Sequence, residues 1–328
     1  MRVNNDLTSS ELIRLVKSAE SAGFDQFWVS NDLLLRSAPV LVGALATHTS
    51  RIQLGIGIMN PYTVHTTELA MMAATAQEVA EGRFLLGVGA GAEDFLRWAG
   101  VERSEPMRTT RTAVAALRRL LGHDDVRDTD LPSWWNDKAY LRFPMPPRPV
   151  PVYVGAMGPR MRRLAGELAD GALPLLYPPE LYGTASDDVR EGLRAAGRQH
   201  IGFDLPACVW VSVGNDDRET RRALAEKLAY YGPSISSVQL ATVGLTPEDF
   251  GPAAELARRG ELGAATELID DRMMSLGIAG SGEEVTSRCR RLAELGVDHI
   301  SFGPPLGPDL DDAVDLLGQE VIPHLAGR

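Results

Sequence analysis

The sequence predicts an α/β fold, a (β/α)8 TIM barrel with insertions, on three observations. An amphipathic helix, a glycine stop, one or two residues and a short apolar strand recur four times, at 15–30, 73–89, 163–176 and 288–303. The strands are near-continuously apolar, as parallel strands covered on both faces must be. Eight βα units in 328 residues suit a closed barrel better than an open, doubly wound sheet.

In chain order, a short strand at 2–4 leads to Thr8 and Glu11, whose spacing fits a capping box opening the first helix. Strands follow at 26–30, 52–58, 84–89, 152–155, 172–176, 207–213 and 299–302. Gly23, Gly82, Gly171 and Gly296 sit where a helix ends in a left-handed residue. Ser281 and Glu284 fit a second capping box before the last helix.

Two stretches break the rhythm. Residues 122–149 are rich in Asp and Pro and hold Trp134, Trp135 and an expected short hairpin at Tyr140 to Phe143, while 232–281 carries extra helices. Neither has enough apolar residues for its own core, so both are read as insertions in a single domain spanning 1–328.

Composition narrows the function. The formal net charge is −11, from 44 acidic and 33 basic residues, and no basic run could track a phosphate backbone, which excludes nucleic acid as the expected partner. No apolar stretch reaches the roughly 18 residues of a membrane span and no signal segment is present, so a cytoplasmic protein is expected. Cys208 and Cys289 form no CxxC pair, and the six histidines show no ligand spacing, so no metal site is expected.

Barrel active sites lie at the C-terminal ends of the strands. Here those are residues 30–36, 55–67, 87–95, 155–161, 174–179 and 301–309. The fourth, in GAMGPRMRRLAG (155–166), places Arg160, Arg162 and Arg163 in the first turns of a helix opened by Pro159. A helix N-terminus carries roughly half a positive charge, so each arginine there costs about 0.3–1 kcal/mol. The glycine turn and helix dipole form an anion site, such as one for phosphate, and the arginines then serve as counter-charges. In the alternative, Arg162 and Arg163 are solvated and Arg163 pairs with Glu167. The rival turn at 303–313 opens its helix with Asp309, Asp311 and Asp312, which would repel a phosphate.

GVGAGAEDF (87–95) does not match a dinucleotide fingerprint. Its glycines at 87, 89 and 91 either admit a flat ligand close to the backbone or simply make a tight turn. His65 is read as a hydrogen-bonding residue at a helix start. Asn31-Asp32 puts an amide and a carboxylate at the mouth, as ligand groups or as caps.

The runs NPYTVHTTELAMMAATAQEVAEGRFLLGVGAG, VPVYVGAMGPRMRRLAGELADGA and RCRRLAELGVDHISFGPPLGPDLDDAVDLLGQEVI resemble the luciferase-like oxidoreductase superfamily. Within it they are most similar to the coenzyme F420-dependent methylenetetrahydromethanopterin reductases. The resemblance covers nearly the whole chain and implies a luciferase-like barrel, a homodimer and a deazaflavin coenzyme. It assigns the coenzyme's phosphate to the turn Gly155, Ala156, Met157, Gly158, Arg160 and Met161. It puts a non-prolyl cis peptide at Gly57-Ile58 behind the ring, with Asn60, Ala90 and Gly91 lining the ring or its hydroxylated chain.

The chain departs from its relatives in having Asn31-Asp32 where many show Asp-His, and Asn4 where the methanopterin reductase has a glutamate. Asn31 is counted with the coenzyme and Asp32 as the candidate proton donor. The implied activity is hydride transfer between the deazaflavin and a small-molecule substrate, at a C=N or conjugated C=C bond. The alternatives are an FMN-dependent monooxygenase of the same superfamily and a barrel that binds a cofactor or metabolite without turnover.

Overall fold

A computed structural model describes residues 1–174, 181–235 and 237–325. Strands β1 (Arg2–Val3), β2 (Gln26–Val29), β3 (Gln53–Met59), β4 (Phe84–Val88), β5 (Val152–Gly155) and β6 (Gly171–Leu173) pair in chain order in one parallel sheet. Strands β7 (Ala207–Val213), β8 (Ile278–Gly280) and β9 (Ile300–Leu306) form a second, with β7 central.

The sheets meet at both ends. Gly171 of β6 bridges in parallel to Asp204, just before β7, and β9 lies against β1, whose Arg2 side chain passes over Gly303 of β9 and donates through Nη2 to the Val209 carbonyl of β7 at 3.3 Å. The ring therefore runs β1 to β7 and then β9. β8 pairs with the opposite edge of β7, so that Ser212 faces Ala279 on one side and Leu306 on the other.

The helices are α1 (Ser9–Ser21), α2 (Ala38–Ala46), α3 (Thr66–Val79), α4 (Glu93–Trp98), α5 (Pro106–Leu120), α6 (Pro159–Leu168) and α7 (Tyr182–Ala195). Further on come α8 (Asp217–Tyr231), α9 (Ser237–Ala241), α10 (Gly251–Arg258), α11 (Leu262–Thr266), α12 (Asp271–Met274), α13 (Gly282–Glu294) and α14 (Leu310–Leu316). Both expected capping boxes form, Thr8 with Glu11 and Ser281 with Glu284. Among the described residues no helix is long and apolar enough to cross a membrane.

Two apolar layers follow from the strand alternation. Phe27, Val29, Leu54, Ile56, Phe84 and Leu86 pack against the helices, while Trp28, Leu85, Tyr153 and Leu173 fill the lumen with Ile58 beside them. Gly55 leaves the space for Trp28, since a Cβ there would lie 2.2 Å from Trp28 Cε3. Below this layer Asp204 accepts from Tyr153 Oη at 2.9 Å and Gln26 Nε2 at 3.3 Å and meets His299 Nδ1 at 2.8 Å. Burial alone would raise the Asp204 carboxyl. Its hydrogen bonds, that with His299 foremost, outweigh burial and hold it below the usual carboxylate range.

Several expectations are corrected. β8 was missed because IAG is three residues long and preceded by glycine. β9 runs on to Leu306 through the cis Pro304-Pro305 bond, beyond the expected 302, because two prolines do not read as strand. Of the expected strand 172–176 the structure gives Gly171–Leu173; residues 175–180, with most of the expected mouth segment 174–179, lie outside the described residues. Gly23, Gly82 and Gly296 take the left-handed conformation but Gly171 does not. Gly171 is instead needed for close approach, because a Cβ there would sit 2.3 Å from the Tyr153 ring.

No hairpin forms at Tyr140 to Phe143. The segment is held by side chains instead: Trp134 stacks on His65 and Trp135 at centroid distances of 5.0 and 5.9 Å, and Trp135, Leu141 and Phe143 pack on the main core. The 232–281 stretch forms an apolar cluster of its own with α8 and Trp210 of β7, including Leu240, Leu245, Phe250 and Met273. That cluster fastens the inserted helices to the barrel wall.

Candidate active site

The turn after β5 has the expected form. Gly158 is the N-cap of α6 and Pro159 its first residue; Gly158 gives no side-chain cap, and nothing lies within 4 Å of where its Cβ would be. The open helix end can therefore receive an anion. Ala156 turns away, its methyl in the core and its N–H on the Leu173 carbonyl at 3.2 Å.

The three arginines separate by role, which corrects their reading as shared counter-charges. Arg162 is buried and donates to Asp188 Oδ2 through Nε at 3.0 Å and Nη2 at 2.8 Å, while its Nη1 reaches the Met157 carbonyl at 2.6 Å. It fixes the shape of the turn from behind. Arg163 pairs with Asp188 and Glu191, not with Glu167, which is taken by Arg111 at 2.6 Å. Arg160 is exposed and has no ion pair among the described residues, so it alone of the three is available to a bound anion.

The Gly57-Ile58 peptide is cis, and the register of β3 on β4 shifts between Ile56 and Met59. Ile58 lies across the ends of β4 and β5: a methyl on Gly155 would be 3.1 Å from Ile58 Cγ2, and one on Gly89 3.5 Å from Ile58 Cδ1. Gly87 is enclosed by protein, with the Ile56 carbonyl 2.7 Å from its would-be Cβ, so its smallness serves packing rather than a ligand. Asn60 accepts from the N–H groups of Tyr62 and Thr63 at 3.2 and 3.0 Å, leaving its amide nitrogen toward Gly91. Ala90 and Gly91 stay half-buried on the same rim.

Across the mouth, Asn31 and Asp32 follow β2. The residue that positions them is Asn5, fully buried, which the sequence reading passed over for Asn4. Asn5 Nδ2 donates to the carbonyls of Asp32 and Arg36 at 3.0 and 2.7 Å. Burial raises the Asp32 carboxyl above its usual range, against the pull of Lys227. Lys227, on α8, was also missed. Its Nζ stands 4.0 Å over the Tyr231 ring and 5.6 Å over Trp210. Burial lowers its ammonium to about 8, although Asp32 and Asp6 pull the other way. The signal was present in the sequence, since the 33 basic residues include only three lysines: Lys17, Lys138 and Lys227.

The rival readings fall into place. Asp309 caps α14 with its own carboxylate, accepting from the N–H groups of Asp311 and Asp312 at 2.9 and 3.0 Å, so that helix end is already closed. His65 caps α3 through Thr67 at 3.3 Å.

The barrel thus carries a bulged third strand and an open helix end after the fifth. The luciferase-like monooxygenase family model matches residues 3–299, and the chain belongs to that family. It is 31% identical over 326 residues to the 5,10-methylenetetrahydromethanopterin reductase of Archaeoglobus fulgidus, covering 98% of this chain and 97% of that protein. It is 28% identical to the F420-dependent glucose-6-phosphate dehydrogenase of Microbacterium testaceum, covering 97% and 94%. The solved structure of the coenzyme F420 dependent tetrahydromethanopterin reductase from Methanopyrus kandleri matches with a TM-score of 0.86 at 28% identity, covering 99% of this chain and 98% of that one. The chain is an enzyme, an oxidoreductase with the luciferase-like barrel fold.

Proposed function

We propose that the chain is a coenzyme F420-dependent reductase of a small organic substrate, acting at a C=N or conjugated C=C bond in a single barrel domain with two insertions. The observation that carries the reading is the open N-terminus of α6 with Arg160 beside it, without an ion pair among the described residues, next to the Ile58 bulge. These residues fit a phosphate-bearing deazaflavin: the turn would hold the phosphate, and Ile58 would back the ring. When bound, the coenzyme supplies or accepts a hydride at its C5.

The remaining work falls to the chain. The mouth positions the acceptor and keeps water from it. Asp32, whose carboxyl burial raises above its usual range, gives a proton to the reduced substrate, and Asn5 holds the loop that presents it. The exposed Leu34, Leu35, Val40 and Met71 support a homodimer, tested by light scattering.

The coenzyme reading is tested by titrating the protein with reduced F420 and separately with FMN, followed by fluorescence, and repeating with Arg160→Glu. Tight F420 binding that Arg160→Glu weakens is the expected result. Binding of FMN alone would move the chain to the monooxygenases, and binding of neither would remove the coenzyme reading.

A further inference from the structure

We propose that Lys227 is the anchor for a carboxylate group on the substrate, on the side of the barrel mouth formed by β1, β2 and β7. The inference rests on the reductase reading and supplies what it lacks, the chemical class of the molecule reduced.

Three observations support it. Lys17 and Lys138 are exposed, whereas Lys227 is half-buried and aimed by α8 onto the faces of Tyr231 and Trp210. Aromatic faces attract an ammonium but accept none of its three N–H donors through conventional hydrogen bonds. Among the described residues no acceptor or carboxylate lies within bonding reach of Nζ, so the cation is oriented yet unpaired. Its lowered affinity for a proton follows from burial without a contacting partner.

The neighbouring charges choose the ligand. Asp32 and Asp6 act on Lys227 as acids and Arg2 as a cation, so the region sets two cations against two carboxyl groups. A singly charged carboxylate gains a charge-assisted hydrogen bond from the Lys227 ammonium, whereas the second charge of a phosphate dianion would meet no cation in excess. The open end of α6, where a phosphate fits, lies beyond β5 on another arc of the ring. A substrate held by its carboxylate at Lys227 would lie on the side of the mouth that carries Asp32.

With only three lysines, competitive acetylation reads the site directly. The wild-type protein, free of coenzyme, is treated with limiting acetic anhydride and the labelling of each lysine is measured by mass spectrometry, with Lys17 and Lys138 as internal references. The probes are crotonate, its neutral counterpart crotonamide, and inorganic phosphate. Crotonate should slow acetylation of Lys227 several-fold relative to the references, while crotonamide leaves it unchanged and phosphate protects less than crotonate. No protection by crotonate, equal protection by crotonamide, or stronger protection by phosphate overturns the proposal. Because labelling needs neither coenzyme nor turnover, failed F420 binding leaves this result readable. Intact F420 binding with unprotected Lys227 removes the anchor and spares the reductase reading.

Discussion

The Asn5 side chain spans the loop that carries Asp32: Nδ2 donates to the Asp32 carbonyl at 3.0 Å, and Oδ1 accepts from the Asp32 N–H at 3.2 Å. Asn5 is fully buried, so its removal leaves the loop's backbone groups without the side chain that joins them. Asn5→Ala should cost about 1–3 kcal/mol of stability for the buried groups left unpaired, measured by urea unfolding. It should also lower turnover more than F420 affinity, because the disturbed loop holds the proposed proton donor and not the proposed phosphate turn. Equal losses in both would mean that Asn5 only stabilises the barrel.

Asp32 gives a signed pH dependence. Its carboxyl is raised in the folded protein, chiefly by burial, so the folded state favours the protonated form more than the unfolded chain does. The stabilising contribution is complete below the ordinary carboxylate range and is lost as pH rises through the raised folded value. Asp32→Asn should therefore be more stable than wild type at neutral pH, with the gap closing in acid. The same substitution removes the proposed donor, and a loss of about 100- to 10,000-fold in turnover is expected. Unchanged turnover removes Asp32 from the mechanism.

Arg160 and Arg162 lie two residues apart and should give opposite phenotypes. Arg162→Met leaves the buried Asp188 with only the longer Arg163 contact at 3.4 Å, and breaking a buried pair costs up to about 3–5 kcal/mol. Arg160 is exposed and has no ion pair among the described residues, so Arg160→Glu should change stability by no more than about 0.5 kcal/mol while weakening F420 binding. Urea unfolding and coenzyme titration on both variants check the pair. Matching phenotypes would show that the two arginines share one role.

Periodicity and caps made the barrel legible. A helix that stops at Gly23 or Gly296 and restarts as an apolar strand leaves few other folds, and both capping boxes formed as read. The turn at Gly158 and Pro159 was also readable, because its signal is local. What escaped was set by tertiary contact. Arg162 and Arg160 look alike in sequence, and only Asp188 on α7 tells them apart. Asn5 matters through a loop some 30 residues away. Lys227 meets Tyr231 one turn further along its own helix, but Trp210, Asp32 and Asp6 come from three other segments.

The contact between Gly155 and Ile58 offers the last test, of whether the bulge and the phosphate turn form one surface. A methyl added at Gly155 would stand 3.1 Å from Ile58 Cγ2, closer than side chains normally pack, so Gly155→Ala must push Ile58 off its position. If Ile58 backs the coenzyme ring, that displacement should weaken F420 binding while leaving Arg160 and the α6 end intact. Ile58→Ala removes the methyl that clashes, so the double variant should bind better than the sum of the two single effects allows. Neighbours in contact show couplings of about 0.5–3 kcal/mol, within reach of a four-variant titration. Strict additivity would separate Ile58 from the turn and leave the phosphate site as the coenzyme's sole anchor on this side of the barrel.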